Sequence, residues 1–379
     1  MYSLLFLTAI SSLLVVFLTP LVRYWFTRWK FVDAPGPSRK IHDHPIPRVG
    51  GVAIFTTIIL SYGALFLIGF HGTSILREGL PWVLRLLPAL SVVFLTGLID
   101  DLRGLKPYQK LAGQCLAATL AVWAGVRVLG FGVYRFNPWW AVIATIAWLV
   151  LCTNAVNLID GLDGLAAGIG LFATVTTLLA ALLQHNIELA FATAPLAGAL
   201  LGFLRYNFNP ATIFLGDCGS LLIGFLLGCY GVLWSQKSAT ILGMAAPLMV
   251  LSIPLLDTGL TIARRFLRRQ PIFSADRGHI HHRLLDRGLT PRGAVLWLYG
   301  FCALGAIASI VVTTQNRASL VVVCFCLIAW LGVWQLGYVE FGLAAHMFLE
   351  GAFRRQVGTR ITLDATEKKL IAASSPDEC

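Results

Sequence analysis

Four short polar segments interrupt an otherwise apolar chain, and their side chains are of the kinds that handle cations and phosphates. They read LIDDLRGLKPYQK at 98–110, NAVNLIDGLDGLA at 154–166, NFNPATIFLGDCGS at 207–220 and PIFSADRGHIHHRL at 271–284. Carboxylate and amide oxygens are hard ligands that suit magnesium, whereas arginine and histidine donors grip phosphate oxygens. Ionisable groups beside lipid are costly. A recurring set of them therefore points to chemistry at a membrane face.

Each segment also has a bland explanation. Asp100 and Asp101 close a helix with Lys110 opening the next; successive helical residues point in different directions, so the two carboxylates suit separate roles. Taken alone, the pair would read as an ordinary solvated helix end. Asn154, Asn157, Asp160 and Asp163 recur every third residue near one drifting helical face, with Gly161 and Gly164 allowing close backbone approach. Helix capping requires fewer polar residues than that. Asp217, framed by Gly216 and Gly219 and followed by Ser220, reads either as an N-cap or as an inner ligand of a magnesium ion. Arg264, Arg265, Arg268 and Arg269 precede Asp276, His279, His281, His282 and Arg283. The HIHH run could suggest zinc, but with no cysteine beside it and many arginines, phosphate recognition is the better fit.

The elements that must position these residues are membrane helices. Hydrophobic residues form 57% of the 379 and charged residues 12%, against about 25% charged in a soluble domain, and mean hydropathy is +0.78. Spans of roughly 17 to 25 apolar residues are predicted near 3–22, 50–70, 82–99, 111–129, 138–153, 164–183, 188–204, 213–234, 241–263, 293–313 and 317–340. The expectation is an all-α polytopic membrane protein of about eleven helices. Residues 1–340 form one transmembrane domain and 341–379 a polar cytoplasmic tail. The first span lacks a basic leader and a small-residue cleavage pattern, so it reads as a retained helix rather than a signal peptide. Pro247 and Pro254 should kink the ninth span.

Of the 29 Lys and Arg residues, all but Arg77, Arg85, Arg127, Arg135, Lys237 and Arg317 fall on one set of alternate loops and the tail. The positive-inside rule makes that set cytoplasmic, with the N-terminus outside and all four polar segments inside. The net charge of +11 is mostly accounted for by loop orientation and anionic lipid, with some arginines left to meet phosphate. No soluble domain exists to bind nucleic acid. The eight cysteines show no paired metal spacing and read as apolar packing residues.

With these segments assembled, the chain resembles the polyprenyl-phosphate N-acetylhexosamine-1-phosphate transferases. That superfamily includes enzymes initiating O-antigen, enterobacterial common antigen and wall teichoic acid, the peptidoglycan translocase and the initiator of N-glycans. The resemblance is carried by HDHPIPRVGG, the DD pair with Lys110, NAVNLIDGLDGL, GDCGS and DRGHIHHRL. It implies transfer of a sugar-1-phosphate, N-acetylglucosamine-1-phosphate above all, from a UDP-sugar to undecaprenyl phosphate at the bacterial inner membrane. UMP would be released. It implies a required magnesium, with manganese as a substitute, on Asp217 and Asn157. Asp100, Asp101 and Asp160 would be catalytic, with Asp100 the base for the lipid phosphate. Substrate binding would fall to Lys110, Asn154, Asn157, Asp163 and Asn207, and to Arg265, His279, His281, His282 and Arg283 of the basic loop. His42, Arg48, Gly50, Gly51 and Asp257 would be lipid-side or structural. Direct attack by the lipid phosphate is favoured over an aspartyl intermediate, although sequence leaves both open, along with other UDP-sugar donors and a homodimer.

Two other classes compete. A transporter would place coupling carboxylates near the bilayer midplane in symmetric broken helices, whereas these gather at helix ends and no symmetric halves are visible. A membrane scaffold would leave the four polar segments without a purpose.

Overall fold

The structure, a computed structural model, describes residues 2–32, 45–68, 73–131, 134–237 and 280–314, with Ser252, residues 255–257, Gly259, Arg265, Val323, Cys326, Leu327 and Trp330. The ninth and eleventh predicted spans, with Pro247 and Pro254, lie almost wholly outside the described residues, as does the 341–379 tail.

Helices dominate because a chain in lipid must satisfy its backbone groups internally. In chain order they begin with α1 (Tyr2–Arg28), α2 (Gly50–Ile68), α3 (Thr73–Arg103) and α4 (Pro107–Trp123). After a hairpin come α5 (Pro138–Ile159), α6 (Leu165–Leu183), α7 (Ile187–Asn207) and α8 (Gly216–Lys237), then the short α9 (Ile280–Asp286) and α10 (Pro291–Thr314). The architecture is all-α as expected, with one short hairpin in which β1 (Gly130–Phe131) pairs antiparallel with β2 (Tyr134–Arg135).

Local signals set the helix starts. Pro107 and Pro138 sit at first-turn positions, where a missing N–H costs nothing. Asn137 and Asn186 cap α5 and α7 by accepting from Trp139 N at 3.2 Å and Leu189 N at 3.3 Å. Among the described residues, α1, α2, α5, α6, α7, α8 and α10 are long and apolar enough to cross a membrane, matching seven of the predicted spans. The third and fourth predicted spans are also helical, as α3 and α4.

α8 is the central element. Its spanning window is 89% buried, against 22% for α1, and it packs on α2, α3, α5, α6 and α7. α1 lies outside α2 and α7 and leaves Leu5, Leu13 and Phe17 exposed, the apolar surface a helix presents to lipid. Pro195 in α7 removes the donor that would bond the Phe191 carbonyl. Tyr62 of α2 supplies one at 3.1 Å, and Tyr230 of α8 donates to the neighbouring Ala192 carbonyl at 2.7 Å. An orphaned carbonyl in an apolar core is costly, so the Tyr62 hydroxyl allows the proline-bearing helix to remain buried.

Candidate active site

The start of α8 is seated by the backbone around it. Residues 47–51 pair with 214–215: Phe214 N donates to Pro47 O at 2.9 Å, Gly50 N to Phe214 O at 2.9 Å and Gly51 N to Leu215 O at 3.0 Å. Gly216 adopts φ 73°, a left-handed conformation that favours glycine. A Cβ on Gly51 would stand 2.2 Å from Gly219 N, and one on Gly97 would stand 2.4 Å from Asp217 O. Only glycine lets α2 and α3 approach α8 this closely, and Gly50, Gly51 and Gly97 together seat the start of α8.

Asp101 completes the seat. Its two carboxylate oxygens accept from Asp217 N and Cys218 N, each at 2.8 Å, satisfying first-turn donors that have no intrahelical partner. Asp217 is therefore capped by another carboxylate, and its own side chain is free to face elsewhere. Burial and the nearby Asp217 charge push Asp101 up to about 7, while the two N–H bonds pull it down.

Four helices then converge, each with one polar side chain. Lys110 of α4 donates to Asn157 Oδ1 of α5 at 3.0 Å and pairs with Asp100 Oδ2 of α3 at 3.1 Å. It also bonds Asp217 Oδ2 of α8. Asn157 Nδ2 donates to Asp217 Oδ1 at 3.0 Å and to Ser220 Oγ at 2.9 Å. The amide thus turns its oxygen toward the ammonium and its nitrogen toward the carboxylate. Asp100 Oδ1 accepts from Leu105 N at 2.6 Å. Burial and the adjacent Asp217 raise the Asp100 pKa, while the Leu105 N–H and Lys110 oppose the rise. These side chains are partly exposed at 15 to 18%, so the cluster can be reached from outside.

The other residues of the second polar segment are divided among different tasks. Asp160 is the C-cap of α5; burial first, and then the Asp217 charge, push its carboxyl up to about 8 against the opposing influence of Arg48. Asp163 accepts from Asn209 Nδ2 and Ala211 N, both at 3.0 Å, and so ties the 160–164 turn to the 207–215 loop. Asn154 exchanges hydrogen bonds with Gln114 at 2.6 and 3.3 Å, and Asn207, 3% exposed, donates to Ile213 O at 3.0 Å. Among the second-segment polar residues and Asn207, Asn157 alone joins the Lys110 and Asp217 cluster, and the contacts seen for Asn154, Asp163 and Asn207 are internal ones.

His42 and His279 lie outside the described residues. His281, His282 and Arg283 stand on α9, with His282 and Arg283 half-buried, and Arg265 is buried. Asp257, 1% exposed, accepts from Ile280 N at 3.0 Å, fastening the start of α9.

Sequence reasoning missed several residues that shape the site. Ser220, noted in sequence beside Asp217 but given no role, lies one turn after it on the same face and accepts from Asn157. Gln114, 1% exposed, was visible only as a polar residue in an apolar run. Tyr299 donates to Gly164 O at 2.5 Å and Arg292 Nε to Asn209 O at 3.0 Å; their distance from the motifs in sequence hid this bracing.

As a donor set the cluster is made of hard oxygens: the Asp217 and Asp100 carboxylates and the Asn157 amide oxygen surround one cationic group. Among the described residues no group of three or more His, Cys, Asp or Glu could hold a metal ion. The oxygens that Lys110 Nζ contacts fit a magnesium-type cation in chemistry, with amide and carboxylate donors and no sulfur or imidazole.

The profile of glycosyl transferase family 4 matches residues 83–235, which contain the whole cluster. A "Probable undecaprenyl-phosphate N-acetylglucosaminyl 1-phosphate transferase" of Bacillus subtilis (strain 168) is 34% identical, over 86% of this chain and 89% of the relative. A decaprenyl-phosphate N-acetylglucosaminephosphotransferase of Mycobacterium tuberculosis (strain CDC 1551 / Oshkosh) is 35% identical, over 82% of this chain and 83% of the relative. A phospho-N-acetylmuramoyl-pentapeptide-transferase of Moorella thermoacetica is 32% identical, over 80% of this chain and 97% of the relative. With similarity extending over most of its length and its apolar helices spanning a membrane several times, the chain belongs to glycosyl transferase family 4 and is a membrane phosphoglycosyltransferase.

Proposed function

We propose that the chain transfers N-acetylglucosamine-1-phosphate from UDP-N-acetylglucosamine to undecaprenyl phosphate, starting a cell-envelope polysaccharide. The observation that carries this is the convergence of Asp100, Lys110, Asn157 and Asp217 from four helices on one partly exposed spot. The names of the B. subtilis and M. tuberculosis relatives support the sugar and the lipid class. In this reading the chain crosses the bacterial inner membrane about eleven times, and the asymmetry of Lys and Arg puts the site in the cytoplasm.

An oxygen of the lipid phosphate bonds to the sugar-bearing phosphorus of the donor. The diphosphate P–O bond breaks, and its electron pair leaves with UMP. Two anions must meet, so positive charge around the donor diphosphate is the main requirement. Lys110 supplies one positive charge there. Magnesium held by Asp217 and Asn157, with manganese as a substitute, would supply further charge neutralisation. Asp100 faces the same spot and orients the acceptor, which needs little deprotonation because a phosphate monoester with a second pKa near 6 is largely a dianion at neutral pH. Asp101 holds Asp217 in place. Arg283, His281 and His282 of α9, with His279 just before it in sequence, receive the donor. Incubating the purified protein with radiolabelled UDP-sugars and undecaprenyl phosphate tests the reading. Lipid-linked label should form fastest with UDP-N-acetylglucosamine, and a preference for UDP-N-acetylmuramoyl-pentapeptide would reassign the donor.

A further inference from the structure

The Lys110 ammonium occupies the point where three oxygens suited to a divalent cation meet. Asp217 Oδ2, Asn157 Oδ1 and Asp100 Oδ2 all converge on it, from three helices other than its own. These contacts are mutually consistent: the Asn157 amide is locked by donating to both Asp217 Oδ1 and Ser220 Oγ, so its oxygen can point only toward the cation side. Lys110 is itself placed by the first turn of α4, where Lys106 N donates to Gln109 Oε1 at 2.9 Å. A small divalent ion binds oxygens at roughly 2.0 to 2.1 Å, closer than an ammonium can approach the same atoms. The two cations would also repel across the cluster. Lys110 and such an ion would therefore compete for Asp217 Oδ2 and Asn157 Oδ1.

We propose that Lys110 is a built-in counterion that competes with the divalent cation for Asp217 and Asn157, and that it is drawn away when a nucleoside diphosphate group offers it phosphate oxygens. This rests on the assignment of Asp217 and Asn157 as metal ligands. Lys110 holds the two carboxylates together at the resting site without a metal. A long, flexible side chain can pivot from carboxylate to phosphate without backbone movement. The metal and the nucleotide then assist each other: each weakens the hold of Lys110 on the site the other needs, and such coupling must be reciprocal.

The test is Mn2+ binding, followed by electron paramagnetic resonance on the full-length protein in detergent, with and without UDP. The wild type should bind Mn2+ weakly alone and at least fivefold more tightly with saturating UDP. Lys110→Gln should bind Mn2+ alone at least tenfold more tightly than the wild type, and its further gain from UDP should fall below twofold. Lys110→Arg, which keeps the charge, should retain the weak binding and most of the UDP effect, separating charge competition from disturbance of α4. If Lys110→Gln binds Mn2+ no more tightly than the wild type while Asp217→Asn loses binding, the counterion role is overturned and the metal site stands. If Asp217→Asn binds Mn2+ like the wild type, the metal-ligand assignment itself fails.

Discussion

Asp101 and Asp217 are joined through the backbone: the Asp101 carboxylate accepts the N–H of Asp217 and of Cys218 at 2.8 Å, while the Asp217 carboxylate turns away to Lys110 and Asn157. The adjacent acids of the DD pair therefore do different work. Asp101→Ala should destabilise the protein by about 0.5–2 kcal/mol, the usual cost of losing an N-cap, and lower activity through a misplaced Asp217. Asp100→Asn should leave the thermal midpoint near that of the wild type and lower kcat with little change in KM for the UDP-sugar. Thermal unfolding and kinetics on both variants check this. Equal loss of stability at the two positions would remove the distinction.

The glycine seat gives a second prediction. Gly97→Ala would drive a methyl to 2.4 Å from the Asp217 carbonyl, backbone against backbone, where neither side gives easily. It should cost about 1–3 kcal/mol and reduce transfer at least tenfold. Gly63→Ala, with nothing within 4 Å, is the matched control and should be close to neutral in thermal midpoint and rate.

Asp160 makes stability depend on pH. Its folded pKa of about 8 lies above the ordinary carboxylate value of about 3.9. Between those values the folded state holds a proton that the unfolded state has released, so stability falls as pH rises from about 4 to 8 and levels off above. Asp101, at about 7, adds a similar slope that ends one unit earlier. In EDTA, Asp160→Asn should flatten the midpoint between pH 7 and 8, where the wild type continues to lose stability, and retain a shallower slope below pH 7. A midpoint rising with pH in the wild type would contradict the burial of Asp160.

How much of this could be seen in the sequence differs by element. The apolar runs that became α1, α2, α5, α6, α7, α8 and α10 were legible because twenty apolar residues have few alternatives in lipid. The hairpin at 130–135 was not, since two-residue strands leave no periodic pattern. Asp217, Asn157, Asp100 and Lys110 were picked out as polar residues at helix ends, and they do meet. Their division from Asn154, Asp163 and Asn207 was not visible, because every-third spacing describes one helix only to Ile159; beyond it the chain turns, and direction is set by contacts such as Asn209 to Asp163. The capping of α8 by Asp101 spans 116 residues of sequence, and no local pattern encodes it.

The basic loop supplies a fourth prediction. Arg283, half-buried on α9, should contact the donor, and a charged hydrogen bond to phosphate is worth about 1.5–3 kcal/mol. Arg283→Ala should therefore weaken UDP-sugar use at least tenfold. Arg287, exposed just past α9, should tolerate alanine with little effect. Equal losses at the two arginines would mean that the loop acts by general charge rather than by recognition.

The most direct measurement of the central claim is lipid-linked product formation by wild type and Asp217→Asn, matched for thermal midpoint, with radiolabelled UDP-N-acetylglucosamine, undecaprenyl phosphate and magnesium. Wild type should release one UMP for each labelled lipid formed, and chelation of the magnesium should stop it. Asp217→Asn should fall by at least a thousandfold, because the isosteric amide removes the negative charge that would hold the cation. Near-wild-type turnover by a folded Asp217→Asn protein would contradict the account, and the cluster of Asp100, Lys110, Asn157 and Asp217 would lose its assignment as the reaction centre.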